Sequence, residues 1–373
     1  MRLTVIKPVN GNYTKTERFD RVLEGGLKAL KACPEYAGLE VEWIENARQA
    51  QEKLQADGKL RKRRILFAVS LGEFGMNLEL YAILEKLRKY PGCMEKSIGG
   101  ILVDGNSELY TKSTAREIAA TANRAGCLFL GKPLVEGTGS LYNFRIIASN
   151  LGTDVADAYY QTTELLLKRL MEYLPVKKEK PQILCLHASD YDTSNTLALW
   201  KMVKGNLGGR CSVREISLRD GEIRDCTGCS YNTCMHFSQR SSCFYGGTIV
   251  EEVYPAVEAC DALVMACPNY NDAVGANLTA FINRLTALFR KRQFYEKYLF
   301  AVIVSGYSGG DILAKQLLDS LCMNKTFLLP GNFALMETAN DAGSIFEAAD
   351  IRKKAAVFAG NMLAQIWKEE SIK

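Results

Sequence analysis

Short apolar segments alternate with stretches of helical periodicity along the whole of this 373-residue chain. Such alternation is typical of βαβ units, in which helices cover a sheet of parallel strands. In the first half the pattern predicts strands at Leu3–Ile6, Leu39–Trp43, Ile65–Val69, Gly100–Val103 and Cys127–Leu130, and helices near Lys15–Lys31, Asn77–Lys89, Ser113–Ala125 and Val155–Tyr173. In the second half it predicts strands at Ile183–His187, Ser212–Ile216, Ala262–Ala266, Phe300–Ser305 and Thr326–Leu329, and helices near Ser194–Val203, Gly275–Arg290, Gly309–Leu321 and Ile345–Trp367.

The two halves also share short sequence words in the same order. NLELYAILEKL at Asn77 corresponds to NLTAFINRLTA at Asn277, VDGNSE at Val103 to VSGYSG at Val304, and LVEGTG at Leu134 to LMETAN at Leu335. Unrelated βαβ domains can share such words by chance, but several matches at a similar offset favour duplication of one fold. We therefore predict two tandem α/β domains, residues 1–174 and 183–373, joined by a charged, proline-bounded linker over 175–182.

Composition excludes several classes of function. The net charge is +5, and the two dense basic runs, Arg61–Arg64 and Lys177–Lys180, lack the interleaved aromatic residues expected of a nucleic-acid surface. With only two histidines, His-rich zinc catalysis and a Ser–His–Asp triad are both disfavoured. No signal peptide or membrane-spanning stretch is evident, so we expect a cytoplasmic protein with no nucleic-acid or membrane partner.

The first turn of the second half has the composition of an anion site. ASDYDTSNT, residues 188–196, lies between a predicted strand and a predicted helix, where backbone N–H groups and the helix dipole favour a bound phosphate. Ser189, Ser194, Asn195 and Thr196 are the candidate phosphate ligands. A plain helix cap formed by Ser194 or Asn195 is the alternative explanation.

Two further turns follow the third and fourth strands of the same half. The first contains Pro268, Asn269, Tyr270 and Asn271, and the second contains Ser305, Gly306, Tyr307 and Gly309. Ligands of open parallel sheets bind outside the carboxyl ends of the strands, so these turns are expected to lie beside the phosphate loop. Three such turns together predict a site for a planar, phosphorylated cofactor.

Four cysteines, Cys226, Cys229, Cys234 and Cys243, lie within one short segment with the spacing Cys-x2-Cys-x4-Cys-x8-Cys. Four thiolates can hold an iron–sulfur cluster or a tetrahedral zinc ion. The same residues can also form a metal-free loop. The spacing leaves all three alternatives open.

These motifs resemble the flavodoxin-like NAD(P)H-dependent FMN reductases, a family that includes iron–sulfur flavoproteins. Its phosphate loop, its C-x-G-C motif and its segment after the third strand resemble ASDYDTSNT, CTGC at Cys226–Cys229 and CPNYNDAVGANLTAFINR at Cys267–Arg284. The resemblance implies a five-stranded parallel sheet with helices on both faces, FMN held by the three turns with Tyr191 beside its phosphate, NAD(P)H as donor, and a [4Fe-4S] cluster as one use of the four cysteines. Ala188 and Tyr191 depart from the glycine and the basic residue that are common in the family, and Cys234 lies further from Cys229 than in iron–sulfur flavoproteins.

The resemblance implies an FMN-dependent NAD(P)H oxidoreductase or electron-transfer flavoprotein that reduces a small-molecule or protein acceptor. A non-catalytic flavodoxin-fold binding or assembly protein is the alternative. The first half resembles a degenerate copy: it keeps Thr14 and Thr16 in its phosphate-loop equivalent but has Pro8 nearby and lacks the Cys-rich segment. Since these reductases usually dimerise, we expect a homodimer or an internal pseudo-dimer. The sequence leaves open the acceptor and the choice between NADH and NADPH.

Overall fold

The computed structural model describes residues 1–9, 17–56, 60–72 and 74–368. The chain divides into two units, unit 1 (Met1–Leu174) and unit 2 (Pro175–Lys373). Among the described residues, no helix combines the length and the apolar character needed to cross a bilayer.

Unit 1 alternates strands and helices. Its strands are β1 (Arg2–Ile6), β2 (Glu40–Ile44), β3 (Arg64–Ser70), β4 (Ile98–Asp104) and β5 (Leu128–Gly137). Its helices are α1 (Glu17–Ala32), α2 (Ala47–Ala56), α3 (Leu78–Lys89), α4 (Thr111–Arg124), α5 (Arg145–Leu151) and α6 (Val155–Glu172).

Unit 2 repeats this alternation with an insertion after its second strand. Its strands are β6 (Gln182–His187), β7 (Ser212–Ser217), β8 (Ala262–Pro268), β9 (Tyr298–Ser305) and β10 (Ala334–Thr338). Its helices are α7 (Asn195–Asn206), α8 (Tyr231–Ser238), α9 (Tyr254–Ala259), α10 (Ala276–Phe289), α11 (Gly310–Leu317) and α12 (Ile351–Ile366). Wider π-helical turns precede α9 over Ile249–Val253 and continue α11 over Leu318–Met323.

Both sheets have five parallel strands in the same order, β2-β1-β3-β4-β5 in unit 1 and β7-β6-β8-β9-β10 in unit 2. This is the flavodoxin-like order, in which the chain reverses its direction of growth between the first and third strands. The prediction of two tandem flavodoxin-like α/β folds is confirmed.

The strand registers of the two sheets are equivalent where the sequence words repeat. Val103 pairs with Glu136 in unit 1, and Val304 pairs with Glu337 in unit 2. The shared words at Leu134 and Leu335 therefore occupy the same place in the last strand of each sheet.

The central strands of unit 2 form the middle of its hydrophobic core. Every residue of β9 is buried, as is every residue of β8 up to Cys267. A strand with helices on both faces has no solvent side, which explains the unbroken apolar runs that made these strands easy to predict.

Two predicted elements of unit 2 are corrected. The predicted segment Thr326–Leu329 does not form a strand of the sheet, although Leu328 makes an isolated bridge to Tyr298, and the fifth strand is Ala334–Thr338. The apolar residues of the first segment are buried beside the sheet, but Pro330 follows them and provides no N–H for a strand ladder. The predicted last helix starts later than expected, at Ile351, after a short 3-10 turn over Ser344–Glu347.

In unit 1 the sequence pattern missed α2, a helix of ten residues, and α5, a helix of seven. Thr14 and Thr16, the predicted remnants of a phosphate loop, lie outside the described residues.

Candidate functional site

The loop after β6 contains a buried hydroxyl without a partner. Ser189 is 3% exposed. Its Oγ makes no hydrogen bond within the part of the chain that the structure describes. A buried polar atom without a partner costs about 1–3 kcal/mol, so native proteins rarely keep one without a function. This hydroxyl lies at the β6–β8 switch point, before the N-terminus of α7, where a phosphate was predicted.

His187, the last residue of β6, forms hydrogen bonds to two residues of this loop. The Ser189 N–H donates to His187 Nδ1 at 3.4 Å, and His187 Nε2 lies 3.2 Å from the Tyr191 hydroxyl. Nδ1 must therefore be unprotonated, with the proton on Nε2. Burial lowers the pKa of His187, which favours this neutral form.

Stability should consequently fall in mild acid. The unfolded chain takes up a proton at His187 near pH 6.5 and the folded chain only at lower pH, so the stabilisation is complete above about pH 6.5 and is lost as pH falls through the folded pKa. We expect a slope of up to about 1.4 kcal/mol per pH unit in urea-unfolding free energies. His187→Asn should flatten this slope, whereas the control His236→Asn, at the exposed second histidine, should retain it. A slope that disappears with His236 instead would contradict the assignment.

The remaining phosphate-loop residues differ in what they offer. Ser194 caps α7 by accepting the Leu197 N–H at 3.2 Å, as in the alternative considered for this residue. The Asn195 side chain is already used: it donates to Asp341 O at 2.8 Å and accepts the Gly343 N–H at 3.0 Å. Thr196 is buried in the first turn of α7. The Ser189 hydroxyl and the N–H groups of this turn thus remain as candidate phosphate donors.

The loop also contains two carboxylates, whose negative charges disfavour the binding of an anion. Asp190 forms an ion pair with Arg219 in the loop after β7, which offsets one negative charge. Asp192 makes no side-chain hydrogen bond or ion pair to any described residue. Because position 191 carries a tyrosine and not a cation, hydroxyl and backbone donors would provide most of the phosphate binding.

Asn269 ties the turn after β8 to the turn after β9. Its Nδ2 donates to Ser305 Oγ at 3.2 Å and to Ser308 O at 2.8 Å. It also donates to Asp272 Oδ1 at 3.1 Å, and the Asp272 N–H returns a bond to Asn269 Oδ1 at 2.9 Å. We call Asn269 and these hydrogen-bond partners the Asn269 hub. Pro268 ends β8 directly before it. The structure therefore brings these two predicted turns together.

Tight backbone geometry shapes both turns. Asn271 and Asp272 are in the left-handed region, with φ of 54° and 56°. Gly309 has a φ of 85°, and a Cβ on it would lie 2.0 Å from Asp272 Oδ1. Gly306 lies between the buried Ser305 and the exposed Tyr307.

Three tyrosines on these loops are unusually exposed: Tyr191 at 54%, Tyr270 at 62% and Tyr307 at 83%. Aromatic rings on loops at the carboxyl end of one sheet suit a planar ligand. Together with the unpaired Ser189 hydroxyl and the helix N-terminus, they fit the phosphate and ring of FMN.

The four cysteines lie elsewhere, along α10. Asn277, at the start of α10, donates to Leu218 O at 2.6 Å and so holds the beginning of the insert near the site. Asn283 donates to Asp225 next to Cys226, and Arg290 lies over the ring of Tyr231. With a rise of 1.5 Å per residue, Asn283 and Arg290 are about 9 and 20 Å along the helix from Asn277. The insert therefore runs away from the candidate flavin site.

Arg284 of α10 closes the base of this insert. Its side chain is 1% exposed. It donates to Arg224 O at 3.2 Å and to Gly246 O at 2.6 Å. No carboxylate among the described residues pairs with it, so two loop carbonyls take the place of a counterion. The Tyr254 hydroxyl donates to Arg284 O at 2.5 Å, and burial raises the pKa of that tyrosine.

The thiols are not arranged as metal ligands. Cys226 is exposed and the other three are partly exposed, and the Cys229 thiol contacts the Tyr245 hydroxyl at 3.8 Å. Across the described ranges, no three cysteine, histidine or carboxylate side chains are grouped to hold a metal. The residues as placed do not fit a cluster or a tetrahedral zinc ion.

In unit 1, side chains bridge the equivalent switch point. Asn77 is 1% exposed. It donates to Pro8 O at 3.4 Å and to Ser70 O at 3.0 Å, so it joins the ends of β1 and β3. Asn277, its counterpart in the repeat, bonds instead to the loop after β7 and, among the described residues, makes no such bridge between the ends of β6 and β8.

A partly buried ion pair lies at the rim of unit 1 further along. Arg18 donates to Asp104 at 3.0 and 2.7 Å, and the Tyr159 hydroxyl donates to the same carboxylate at 3.0 Å. Burial raises the pKa of Asp104 despite the arginine. Asp104 occupies the position that Ser305 has in unit 2, so the two rims differ chemically at an equivalent point.

Sequence reasoning missed several residues of the site. His187 was noted only for the scarcity of histidines, and neither Asp272 nor the loop over 339–345 was considered. The segment NYND contained a signal for Asp272, since asparagine and aspartate favour tight turns. Gln316, which donates to Asp272 O and accepts from the Val274 N–H, carries no such signal.

The five-stranded parallel sheet, with its switch point between β6 and β8, defines unit 2 as a flavodoxin-like α/β domain. Residues 181–341 match the model of the family described as NADPH-dependent FMN reductase. The predicted resemblance of the C-terminal half to this family is confirmed. No curated protein matches the chain significantly.

Similar solved structures each cover about half of the chain. RosB with bound 8-demethyl-8-formylriboflavin-5'-phosphate is 15% identical over 50% of this chain and 81% of its own, with a TM-score of 0.39. The NAD(P)H:quinone oxidoreductase of Methanothermobacter marburgensis is 13% identical over 50% and 98%, with a TM-score of 0.35. The FMN-dependent NADH-azoreductase of Bacillus anthracis, in complex with FMN, is 10% identical over 48% and 99%, with a TM-score of 0.35.

Proposed function

We propose that unit 2 binds FMN in the crevice between β6 and β8 and acts as an NAD(P)H-dependent oxidoreductase on a small-molecule or protein acceptor. The buried Ser189 hydroxyl carries the proposal, because a phosphate oxygen would supply the hydrogen-bond partner that no described residue provides. The family match over 181–341 supports the same cofactor and donor.

The protein's own part is binding and orientation. When bound, FMN supplies hydride acceptance and electron transfer. Ser189 and the first N–H groups of α7 would hold its phosphate, while the Asn269 hub fixes the turns that carry Tyr270 and Tyr307 beside the ring. This chemistry needs no side-chain base. Because the thiols are not grouped as ligands, we include no cluster in the electron route.

We further infer that unit 1 binds no flavin, because Asn77 bridges its crevice and Arg18 and Asp104 fill its rim. Dimerisation, pairing of the two halves and a cytoplasmic location stay predictions.

Ser189→Ala tests the proposal through two opposite effects. Removal of an unpartnered hydroxyl should raise the unfolding free energy of the flavin-free protein by about 1 kcal/mol. Loss of a hydrogen bond to a charged phosphate should weaken FMN binding about tenfold to hundredfold. Fluorescence titration with FMN and urea unfolding measure the two quantities.

Ser194→Ala is the matched control. It removes the helix cap, so it should lower the stability of the flavin-free protein by about 1 kcal/mol. Unchanged FMN affinity in Ser189→Ala would contradict the phosphate assignment. If the wild-type protein is colourless when purified anaerobically and takes up no flavin, the non-catalytic binding module is the better description.

A further inference from the structure

A second pocket lies beside the phosphate loop, against the flank of α7. Its volume is about 390 Å³, within the range of small-ligand sites. We name it the α7 side pocket; its lining residues include Tyr191, Asp192, Thr193, Lys201, Met202 and Phe346. It also shares Ser194 and Asn195 with the candidate phosphate site.

The polar side chains of this pocket are available to a ligand. Within the portion of the chain described by the structure, neither Asp192 nor Lys201 makes a side-chain hydrogen bond or ion pair, although both line the same pocket. A carboxylate accepts hydrogen bonds only, whereas an ammonium group donates them and binds phosphate as a point charge. The pocket therefore offers one acceptor for an amino group and one cation for an anion.

The aromatic side chains of the pocket are also largely uncovered by other residues. Phe346 is 58% exposed and Tyr191 54% exposed, so more than half of the surface of each of these two aromatic residues at the pocket faces solvent. Aromatic side chains stack on nucleobases, with a contribution large enough to measure by alanine substitution.

We propose that the α7 side pocket is an adenylate subsite. The base would pack on Phe346 and Tyr191, its exocyclic amino group would donate to Asp192, and a phosphate would bind Lys201. The choice of adenine rests on the proposed function, because the adenylate would come from NAD(P)H or from the AMP half of FAD, beyond the flavin phosphate. AMP binding to the pocket can nevertheless be measured in the flavin-free protein.

Calorimetric titration of the flavin-free full-length protein with AMP and with IMP tests the subsite. IMP has a carbonyl in place of the amino group and should bind more weakly, because that oxygen would face the Asp192 carboxylate. We expect saturable AMP binding at about 1 mM or below. Phe346→Ala should weaken it about tenfold, Lys201→Gln about fivefold, and Asp192→Asn should reduce the preference for AMP over IMP.

Lys353→Gln on α12 is the control for Lys201→Gln, since Lys353 is also exposed and lies outside the pocket. All replaced side chains are on the surface, and thermal melts check that the variants fold. No saturable AMP binding to the wild-type protein, or AMP binding that Phe346→Ala and Lys201→Gln leave unchanged, would overturn the proposal. AMP binding in a protein that takes up no FMN would instead overturn only the proposed function.

Two further titrations identify the source of the adenylate. If the site receives the electron donor, Phe346→Ala should raise the KM for NADPH of the FMN-loaded protein about tenfold while FMN affinity stays constant. If it receives the AMP half of FAD, the same variant should weaken FAD binding by that factor relative to FMN.

Discussion

Replacing Gly309 with alanine is expected to reduce FMN affinity more than about a hundredfold. The backbone there has a φ of 85°, and the new Cβ would lie 2.0 Å from Asp272 Oδ1 and 2.9 Å from Asn269 Nδ2. Either the turn at Gly309 or the Asn269 hub must move, and both belong to the turns that would hold the flavin ring. The strain should also lower the unfolding free energy by about 2 kcal/mol.

FMN titration and urea unfolding of Gly309→Ala measure these effects. Gly360→Ala is the control, because a Cβ at Gly360 meets no atom within 4 Å and the residue lies within α12. That variant should bind FMN normally and gain up to about 1 kcal/mol of stability. Normal FMN affinity in Gly309→Ala would show that the turns after β8 and β9 do not form the ring site.

Arg284→Met is expected to release the Cys-rich insert. The change removes the hydrogen bonds to the carbonyls of Arg224 and Gly246. Charge-assisted bonds of this kind contribute about 1.5–3 kcal/mol each, and the recovered cost of burying a cation offsets part of that. We expect a net loss of about 2 kcal/mol in unfolding free energy.

Timed alkylation with mass-spectrometric readout follows the four thiols of the insert. In Arg284→Met, the partly exposed Cys229, Cys234 and Cys243 should react faster than in the wild-type protein. Arg290→Met is the control, because this exposed side chain lies over the ring of Tyr231 in the same insert and makes no side-chain hydrogen bond or ion pair to a described residue. The thiols of this variant should react as in the wild type. Equal alkylation rates in all three proteins would mean that Arg284 does not secure the insert.

Fold and loop positions were predictable because they depend on local pattern. Strands such as β8 and β9 are apolar along most of their length, since the sheet buries both their faces. Loops at the carboxyl ends of parallel strands necessarily share one rim, which is why three separate sequence motifs could be assigned to one site. By contrast, β10 is only partly buried along its length, so its sequence shows a weak strand pattern, whereas the apolar segment before it has the composition of a buried strand.

The uses of individual side chains were less predictable, because they depend on contacts between residues distant in sequence. Asn195 was a candidate phosphate ligand, yet its amide bonds to backbone groups 144 and 146 positions away. Arg284 ended a motif, but its carbonyl partners lie 60 and 38 positions away. Cysteine spacing, similarly, left cluster, zinc and metal-free loop open, because ligand geometry depends on how the loop folds against α10.

Helix α10 serves both ends of unit 2 at once. Its first residues secure the loop that starts the Cys-rich insert beside the crevice, its middle secures the insert's base, and its last turn contacts the far side of the insert. A helix is stiff along its axis, so α10 rigidly connects the cysteine segment to the turns of the candidate cofactor site. The cysteine segment at one end of α10 could therefore change in length and sequence during evolution without changes in the candidate ligand-binding turns at the other end.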